Sequence, residues 1–134
     1  MEQIRNILVP VDQSPISVPT LKLAKVLAEK KDANLFLQCV ADSKIIKSQE
    51  TVSSSLTEDF MKLSHENFNR MIQEAGVGAM NHGSEVKSGV PFMEIISRAV
   101  DQDSDLIVLG SLAWQTIEKY SLGNTAYKVV RVAP

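Results

Sequence analysis

The sequence has little of what several classes of protein need. Cys39 is the single cysteine among 134 residues, so an internal disulfide and a multi-thiolate metal site are excluded, and its apolar neighbours indicate a buried, unreactive thiol. Lysine and arginine form no run and the net charge is -2, which argues against nucleic acid and anionic membranes as partners. No apolar run approaches the ~18 residues of a membrane span, and the opening MEQIRNILVPVD lacks a secretory leader. We expect a cytoplasmic protein.

Motifs of the common catalytic sites are also missing. The sequence contains no Walker A pattern, no G-x-G-x-x-G fingerprint, no G-x-S-x-G elbow and no paired metal-ligand spacing. His65 and His82 are far apart and have no evident nucleophile or carboxylate partner, so we interpret both as surface histidines. We expect no catalytic residues and no metal ligands among the side chains.

What is present is an ordinary globular composition, 44% hydrophobic and 22% charged, which predicts one domain over residues 1–134. Within it, apolar runs alternate with amphipathic segments. The runs predict four strands, at Asn6–Val11, Ala33–Val40, His82–Lys87 and Leu106–Leu109. The third run is the least apolar, so we expect it near a sheet edge, whereas the fourth reads as a buried strand.

Four helices are predicted between and after the strands. Their start signals are Ser14 or Ser17 as a cap, the Ser55 and Glu58 capping box, Pro91 in a first turn, and Asn124 or Thr125. Gly76 and Gly78 end the second helix. The expected buried faces are Val18, Leu21, Ala24, Leu27 and Ala28; then Leu56, Phe60, Leu63, Phe68, Met71, Ile72 and Ala75; then Phe92, Ile95, Ile96 and Ala99; and last Ala126, Val129 and Val130.

Alternation of this kind predicts an α/β fold: an open, mostly parallel sheet with helices on both faces and right-handed crossovers. Such sheets bind ligands at the carboxyl ends of the strands where the strand order reverses, here between strands one and four. The stretch from Asp105 to Asn124 ends strand four and opens the last helix, with Gly110 and Gly123 on the way. Glycines let backbone N–H groups approach a phosphate, and a helix start offers further donors.

The chain resembles the universal stress protein family. The matching segments are NILVPVDQSP, GVPFMEII, DLIVLGS and LGNTAYKVVRVAP, which together span most of the sequence. The resemblance implies a Rossmann-like adenine-nucleotide-binding fold, with ATP or a related nucleotide held between strands one and four. Because cations are scarce near that site, offsetting the phosphate charge would depend on backbone dipoles or a bound Mg²⁺. We also expect a homodimer.

The family's phosphate pattern is glycine, two residues, glycine, nine residues, glycine, and serine or threonine. Gly110 and Gly123 match it, Ala113 replaces the second glycine, and Asn124 replaces the hydroxyl residue, which Thr125 would supply one position later. If position 113 needs positive φ, alanine there costs about 1–2 kcal/mol. The resemblance further assigns the ribose to Asp12. The implied nucleotide-binding set is Pro10, Val11, Asp12, Val40, Gly110, Ala113, Gly123, Asn124 and Thr125.

Each of these residues also has a local interpretation. Asp12 suits a turn, Gly110 and Gly123 are common in loops, and Trp114 is more often an interface residue than a base stacker. The loop carries no arginine, and Lys119 and Lys128 are the nearby cations. Family members continue into a fifth strand where this sequence ends at Pro134. We therefore expect strand four to present an open edge, covered by a partner subunit, or the gene product to be shortened.

Three functions follow from these observations. The first is a sensor or regulator in the stress response that binds an adenine nucleotide without catalysis, any ATP hydrolysis being slow and incidental. The second is a dimeric protein-interaction module that does not bind nucleotide, favoured by Ala113 and Asn124. The third and weakest is a slow adenine-nucleotide hydrolase.

Overall fold

The computed structural model describes residues 3–43, 54–80, 82–110 and 121–133. Strands and helices alternate along these ranges. In chain order they are β1 (Asn6–Val11), α1 (Ser17–Lys31), β2 (Asn34–Asp42), α2 (Ser54–Ala75), β3 (His82–Gly89), α3 (Pro91–Asp101), β4 (Leu106–Ile107) and α4 (Ser121–Val132). The predicted α/β alternation of four strands and four helices is confirmed.

The strands form one parallel sheet in the order β3-β2-β1-β4. The register places Ile7 of β1 opposite Leu35 of β2 on one side and Leu106 of β4 on the other. The chain builds outward from β1 to β3 and then crosses back to add β4 beside β1. The strand order therefore reverses between β1 and β4, as predicted, and β3 lies at an edge.

The larger core lies between the sheet and helices α1 and α2. Side chains at alternate positions of β1 and β2 point to this face, because successive residues of a strand point to opposite sides. The buried members of this core are Ile7, Val9, Val11, Leu21, Ala24, Ala28, Leu35, Leu37, Cys39, Phe68, Met71, Ile72, Ala75 and Val77. The members of this cluster are all apolar, and we call this side of the sheet the dry face, although Ser17, Thr20 and Ser64 of its two helices are also buried.

The smaller core lies on the opposite face, under α3 and α4. Its buried members are Leu8, Ile95, Ala99 and Val129, with half-buried apolar side chains packed around them. The predicted faces of α1 and α3 are confirmed by these two clusters. Helices cover both sides of the sheet, which is what a buried parallel sheet requires.

The strands differ from prediction at their ends. Both β2 and β3 run two residues further, to Asp42 and Gly89, while β4 is shorter and ends at Ile107. The Val108 N–H still donates to the Leu8 carbonyl at 2.9 Å, so the chain follows β1 for one residue more. The prediction of a buried fourth strand is wrong, because β4 has a neighbour on one side within the described sheet and is only half-buried.

The helix starts also differ. Helix α1 begins after Ile16 without a side-chain cap, so neither Ser14 nor Ser17 caps it; the hydroxyl of Ser17 is engaged by Asp12 instead. Helix α4 begins at Ser121, three or four residues before the predicted start. We predicted a helix start at Asn124 because asparagine is a common N-cap residue. The N–H groups of a first helical turn have no intrahelical partner, so residues with low helix propensity are tolerated there.

The helix ends and buried faces agree in most places. Gly76 ends α2 in a left-handed conformation with φ 72°, and Pro91 starts α3, both as predicted. Leu63 and Val130 were expected in the core but are 53% and 79% exposed, and Ser64 and Thr125 are buried in their place. Helical geometry explains the exchange, since Ser64 shares a face with Phe68, and Thr125 with Val129. The Ser55 half of the capping box and Leu56 lie outside the described side chains.

Candidate functional site

The candidate site lies at the carboxyl edge of the sheet, where β1 ends at Val11 and β2 at Asp42. Two predicted site residues meet there at the first turn of α1. Asp12 is hydrogen-bonded to Ser17, and the Cα of Gly110 packs against Ile16 and Thr20. The structure therefore brings both Asp12 and Gly110 to the start of α1, although they are 98 positions apart in the sequence.

Asp12 is half-buried and held in a fixed position. Its Oδ1 accepts a hydrogen bond from the Ser14 N–H at 2.7 Å and lies 3.3 Å from the Ser17 hydroxyl. That hydroxyl also lies 2.8 Å from the Asp12 carbonyl oxygen, to which it donates in its shorter bond. Asp12 therefore does stabilise the turn after β1, as its local interpretation predicts. The same hydrogen bond holds its carboxylate in a defined orientation toward a ligand.

Gly110 has a packing reason to be glycine. A Cβ at this position would lie 2.5 Å from the Thr20 Oγ1 and 3.1 Å from the Ile16 Cγ2. The Thr20 hydroxyl is itself committed, because it donates to the Ile16 carbonyl at 2.7 Å. The close approach of the β4 segment to α1 therefore disfavours a side chain here, whether or not a ligand binds. Sequence reasoning offered loop and phosphate roles and missed this contact.

The predicted contacts from β1 and β2 lie side by side in the sheet. Pro10 pairs with Gln38 and Val11 with Cys39, one residue before Val40. All of these side chains are buried, so a ligand at this edge would meet mainly their backbone. Burial, aided by the negative charge of Asp12, raises the pKa of the Cys39 thiol to about 12. The expectation of a buried cysteine is confirmed, and the raised pKa supports the prediction that its thiol is unreactive.

Three further predicted site residues lie in the first turns of α4. Gly123 and Asn124 are its third and fourth residues by backbone position, not the residues that precede it. Thr125 is 5% exposed and shares a helix face with the buried Val129. Lys128 is exposed, and its Nζ lies 5.2 Å from the centre of the Phe92 ring. Its charge is therefore placed over an aromatic face of α3.

The rest of the predicted phosphate loop lies outside the described residues. This applies to Ala113, to Trp114 and to Lys119, and so to the φ value on which the effect of Ala113 depends. The strand-four end of the site is described as far as Gly110. The assignments of these loop residues stay predictions.

Sequence reasoning missed a polar network on the α3 side of the sheet. Gln38 is fully buried in the middle of β2, where its Nε2 donates to the Glu85 Oε2 at 2.9 Å and to the Glu94 carbonyl at 3.1 Å. Glu85 also accepts two hydrogen bonds from Arg98, at 2.6 and 3.1 Å. The guanidinium lies 5.0 Å from the centre of the Phe36 ring.

A second ion pair extends this network toward the site. Lys87 and Glu94 are 2.9 Å apart, and the Glu94 carboxylate holds the pKa of Lys87 above its ordinary value. Glu85 and Lys87 are two residues apart on β3, and Glu94 and Arg98 four apart on α3, so each pair shares a face. That spacing was readable in the sequence, together with one glutamine in an apolar run. The network fixes the first turn of α3 beside the middle of β2 and the second half of β3.

Both histidines were interpreted as surface residues. His65 is exposed, which agrees, whereas His82 is half-buried and its Nδ1 lies 2.8 Å from the Met80 carbonyl oxygen. Within the described ranges, no group of three or more histidine, cysteine, aspartate or glutamate side chains is placed to hold a metal ion. No helix in those ranges is long and apolar enough to cross a membrane.

A four-stranded parallel sheet covered on both faces, with its strand order reversing at β1 and β4, defines the doubly wound α/β class. Comparison with known proteins narrows this class. The chain belongs to the universal stress protein family, whose pattern it matches over residues 3–134. A universal stress protein of Methanocaldococcus jannaschii is 30% identical over 135 aligned residues, which cover 96% of this chain and 77% of that protein.

Solved structures agree with this membership. A universal stress protein of Lactobacillus plantarum superimposes with a TM-score of 0.79 at 28% identity, covering 100% of this chain and 95% of that one. A further universal stress protein, crystallised in complex with cAMP, has a TM-score of 0.70 at 18% identity and covers 98% and 92% of the two chains. At the latter identity the likeness establishes the fold alone.

Proposed function

We propose that this protein binds ATP or a related adenine nucleotide at the carboxyl edge between β1 and β4, and acts in the cytoplasm as a sensor or regulator in the stress response. One observation carries the proposal. The half-buried carboxylate of Asp12 is held by the Ser14 N–H at the point where the strand order reverses. Ligand sites of open α/β sheets form at this point, and a fixed carboxylate suits a sugar hydroxyl.

The residues present fit parts of such a ligand. Asp12 would accept hydrogen bonds from the ribose, while the backbone at Pro10, Val11 and Val40 would border the base. The phosphates would lie along Gly110, Ala113, Gly123, Asn124 and Thr125, near the start of α4, with Mg²⁺ offsetting their charge. The cAMP complex of a family member with the same fold supports an adenine nucleotide as the ligand class.

Binding without catalysis is part of the proposal. Among the described residues, two titratable groups at this edge have structural positions: Asp12 anchors a turn, and the raised pKa of Cys39 keeps its thiol neutral. A neutral buried thiol is a poor nucleophile. Any hydrolysis of bound ATP would therefore be slow and incidental, and a turnover assay that finds product formation dependent on Asp12 would contradict this part.

The experiment is a calorimetric titration of nucleotide-stripped protein with ATP and Mg²⁺. We expect saturable binding in the micromolar range, about -8 kcal/mol. Asp12→Asn should weaken it strongly, because the amide keeps an acceptor for the Ser14 N–H but loses the charge that the ribose hydroxyls favour. The control is Asp105→Asn, an exposed aspartate at the opposite edge of the sheet. Binding unaffected by Asp12→Asn would contradict the site.

A second candidate function, a homodimeric interaction module, is favoured by the outer side of β4. A groove of about 270 Å³ lies there, and its apolar lining includes Leu106, Leu109, Val129 and Val130. Val130 is 79% exposed, and apolar surface of this kind often marks a contact between proteins. Val130→Glu should shift the sedimentation coefficient toward the monomer if this face joins two copies. An unchanged coefficient would exclude the face as the dimer contact.

A further inference from the structure

The loop that carries Asp12 contains a second polar group that the fold leaves unused. The hydroxyl of Ser14 is buried and has no hydrogen-bond partner, and the residue as a whole is 6% exposed. Its own N–H donates to the Asp12 Oδ1 at 2.7 Å. Three covalent bonds join that nitrogen to the hydroxyl oxygen, so the oxygen lies within about 6 Å of the Asp12 carboxylate.

A local structural role does not account for this hydroxyl. A serine near the start of a helix often caps its first turn, yet the N-cap residue of α1 is Ile16 and no side chain caps this helix. The backbone of Ser14 does take part, because its carbonyl accepts from the Ser17 N–H at 3.2 Å. A buried hydroxyl without a partner destabilises a fold, so alanine would serve the unliganded protein better.

The charges around the Ser14 hydroxyl determine which kind of ligand group could form a hydrogen bond with it. A free anion is disfavoured, since the Asp12 carboxylate lies beside it and repels negative charge. A sugar hydroxyl suits both residues, because it donates to a carboxylate and either donates to or accepts from a serine. Two adjacent hydroxyls can satisfy Asp12 and Ser14 together.

We infer that Ser14 is a second ribose-recognition residue, which pairs with one hydroxyl of the 2′,3′-diol while Asp12 binds the other. The inference rests on the proposed nucleotide function. The hydroxyl of serine rotates about the Cα–Cβ bond, so its direction can change on ligand binding without movement of the loop backbone. The fold thus retains an unpaired polar group that nucleotide binding satisfies.

The test compares Ser14→Ala with Ser104→Ala, a matched control. The Ser104 hydroxyl is also buried without a partner, but it lies beside Asp105 at the amino edge of the sheet. Each variant is titrated with ATP, 2′-deoxy-ATP and 3′-deoxy-ATP in Mg²⁺, and each is melted without nucleotide. We expect Ser14→Ala to weaken ATP about three- to tenfold, the range for one hydrogen bond, and Ser104→Ala to leave affinity unchanged.

Two further readouts separate recognition from a structural effect. Ser14→Ala should leave the affinity for one of the two deoxy analogues unchanged, because that analogue already lacks the paired hydroxyl. Its melting temperature without nucleotide should equal or exceed that of the unaltered protein. A lower melting temperature, or equal weakening of all three nucleotides, would overturn the inference while the proposed function stands. Failure of the unaltered protein to bind any of them would overturn both.

Discussion

The two faces of the sheet are built on different principles. Between the sheet and helices α1 and α2, fourteen buried apolar residues form a continuous core. Between the sheet and helices α3 and α4, four buried apolar residues share the space with the network around Gln38, Glu85 and Arg98. The first face buries more apolar surface, which is the main source of folding free energy. The second face fixes where α3 begins.

The difference teaches how the carboxyl edge is positioned. Asp12 and Gly110 both meet α1, the helix that packs on the dry face. Val40 lies near the polar network, because its partner on β3 is Lys87, which forms an ion pair with Glu94. Apolar burial is non-directional, whereas hydrogen bonds fix angles and distances. The candidate site thus lies between two kinds of structure: the apolar core under α1, and the hydrogen-bonded network that includes Lys87 and Glu94.

The largest expected effect comes from the dry face. Leu37 is fully buried in β2, so Leu37→Ala should lower the free energy of unfolding by about 2–5 kcal/mol through lost burial and a residual cavity. Urea denaturation followed by circular dichroism measures it. Leu23→Ala, on the exposed side of α1, is the control and should stay near the unaltered protein. A loss of less than 1 kcal/mol at Leu37 would contradict the account of this core.

On the polar face, Glu85→Gln tests the ion pair. The variant leaves the partly buried Arg98 guanidinium without its counter-charge, and both side chains are less than a quarter exposed. We expect a loss of about 2 kcal/mol, less than for a fully buried pair. Lys87→Met is the comparison, because Lys87 is 48% exposed and we expect its solvent-screened ion pair to contribute much less. Equal losses for the two variants would show that burial does not distinguish the pairs.

Gly110→Ala examines how tightly the β4 segment meets the dry face. The added methyl would collide with the Thr20 hydroxyl and with Ile16, and we expect a loss of about 1–2 kcal/mol from overpacking. Adding Thr20→Ala removes the closest contact, so the double variant should lose less than the sum of the single ones. Strict additivity in the urea midpoints would mean that the two positions do not touch.

The smallest effect at neutral pH is expected for Cys39. Its raised pKa, about 12 in the fold against about 8.5 for a free thiol, means that the unfolded chain ionises first. Stability should therefore be unaffected below about pH 8.5 and decline as the pH rises toward 12, by at most about 1.4 kcal/mol per pH unit. Cys39→Ala should remove this part of the alkaline decline. Rapid alkylation of the native thiol at pH 8 would contradict its burial.

Most of the fold could be predicted from local patterns in the sequence. Apolar runs located all four strands, and helical spacing identified Leu21, Phe68 and Ile95 as core residues, because the periods of strands and helices are properties of the backbone. The α/β order and parallel connections placed Asp12 at the point where the strand order reverses. Prediction failed at helix α4 and at Val130, where local preference for caps and apolar spacing competed with packing.

The sequence by itself determined the family, the element order and the edge of the sheet at which a ligand would bind. Only the tertiary structure decided that a side chain at Gly110 would crowd Thr20 and Ile16, that Gln38 joins β2 to β3 and α3, and that the Ser14 hydroxyl is buried without a partner. The reason is physical. Periodicity is set by neighbours in the chain, whereas close approach and hydrogen-bond satisfaction depend on residues 47 to 90 positions apart that meet only when the sheet and helices pack.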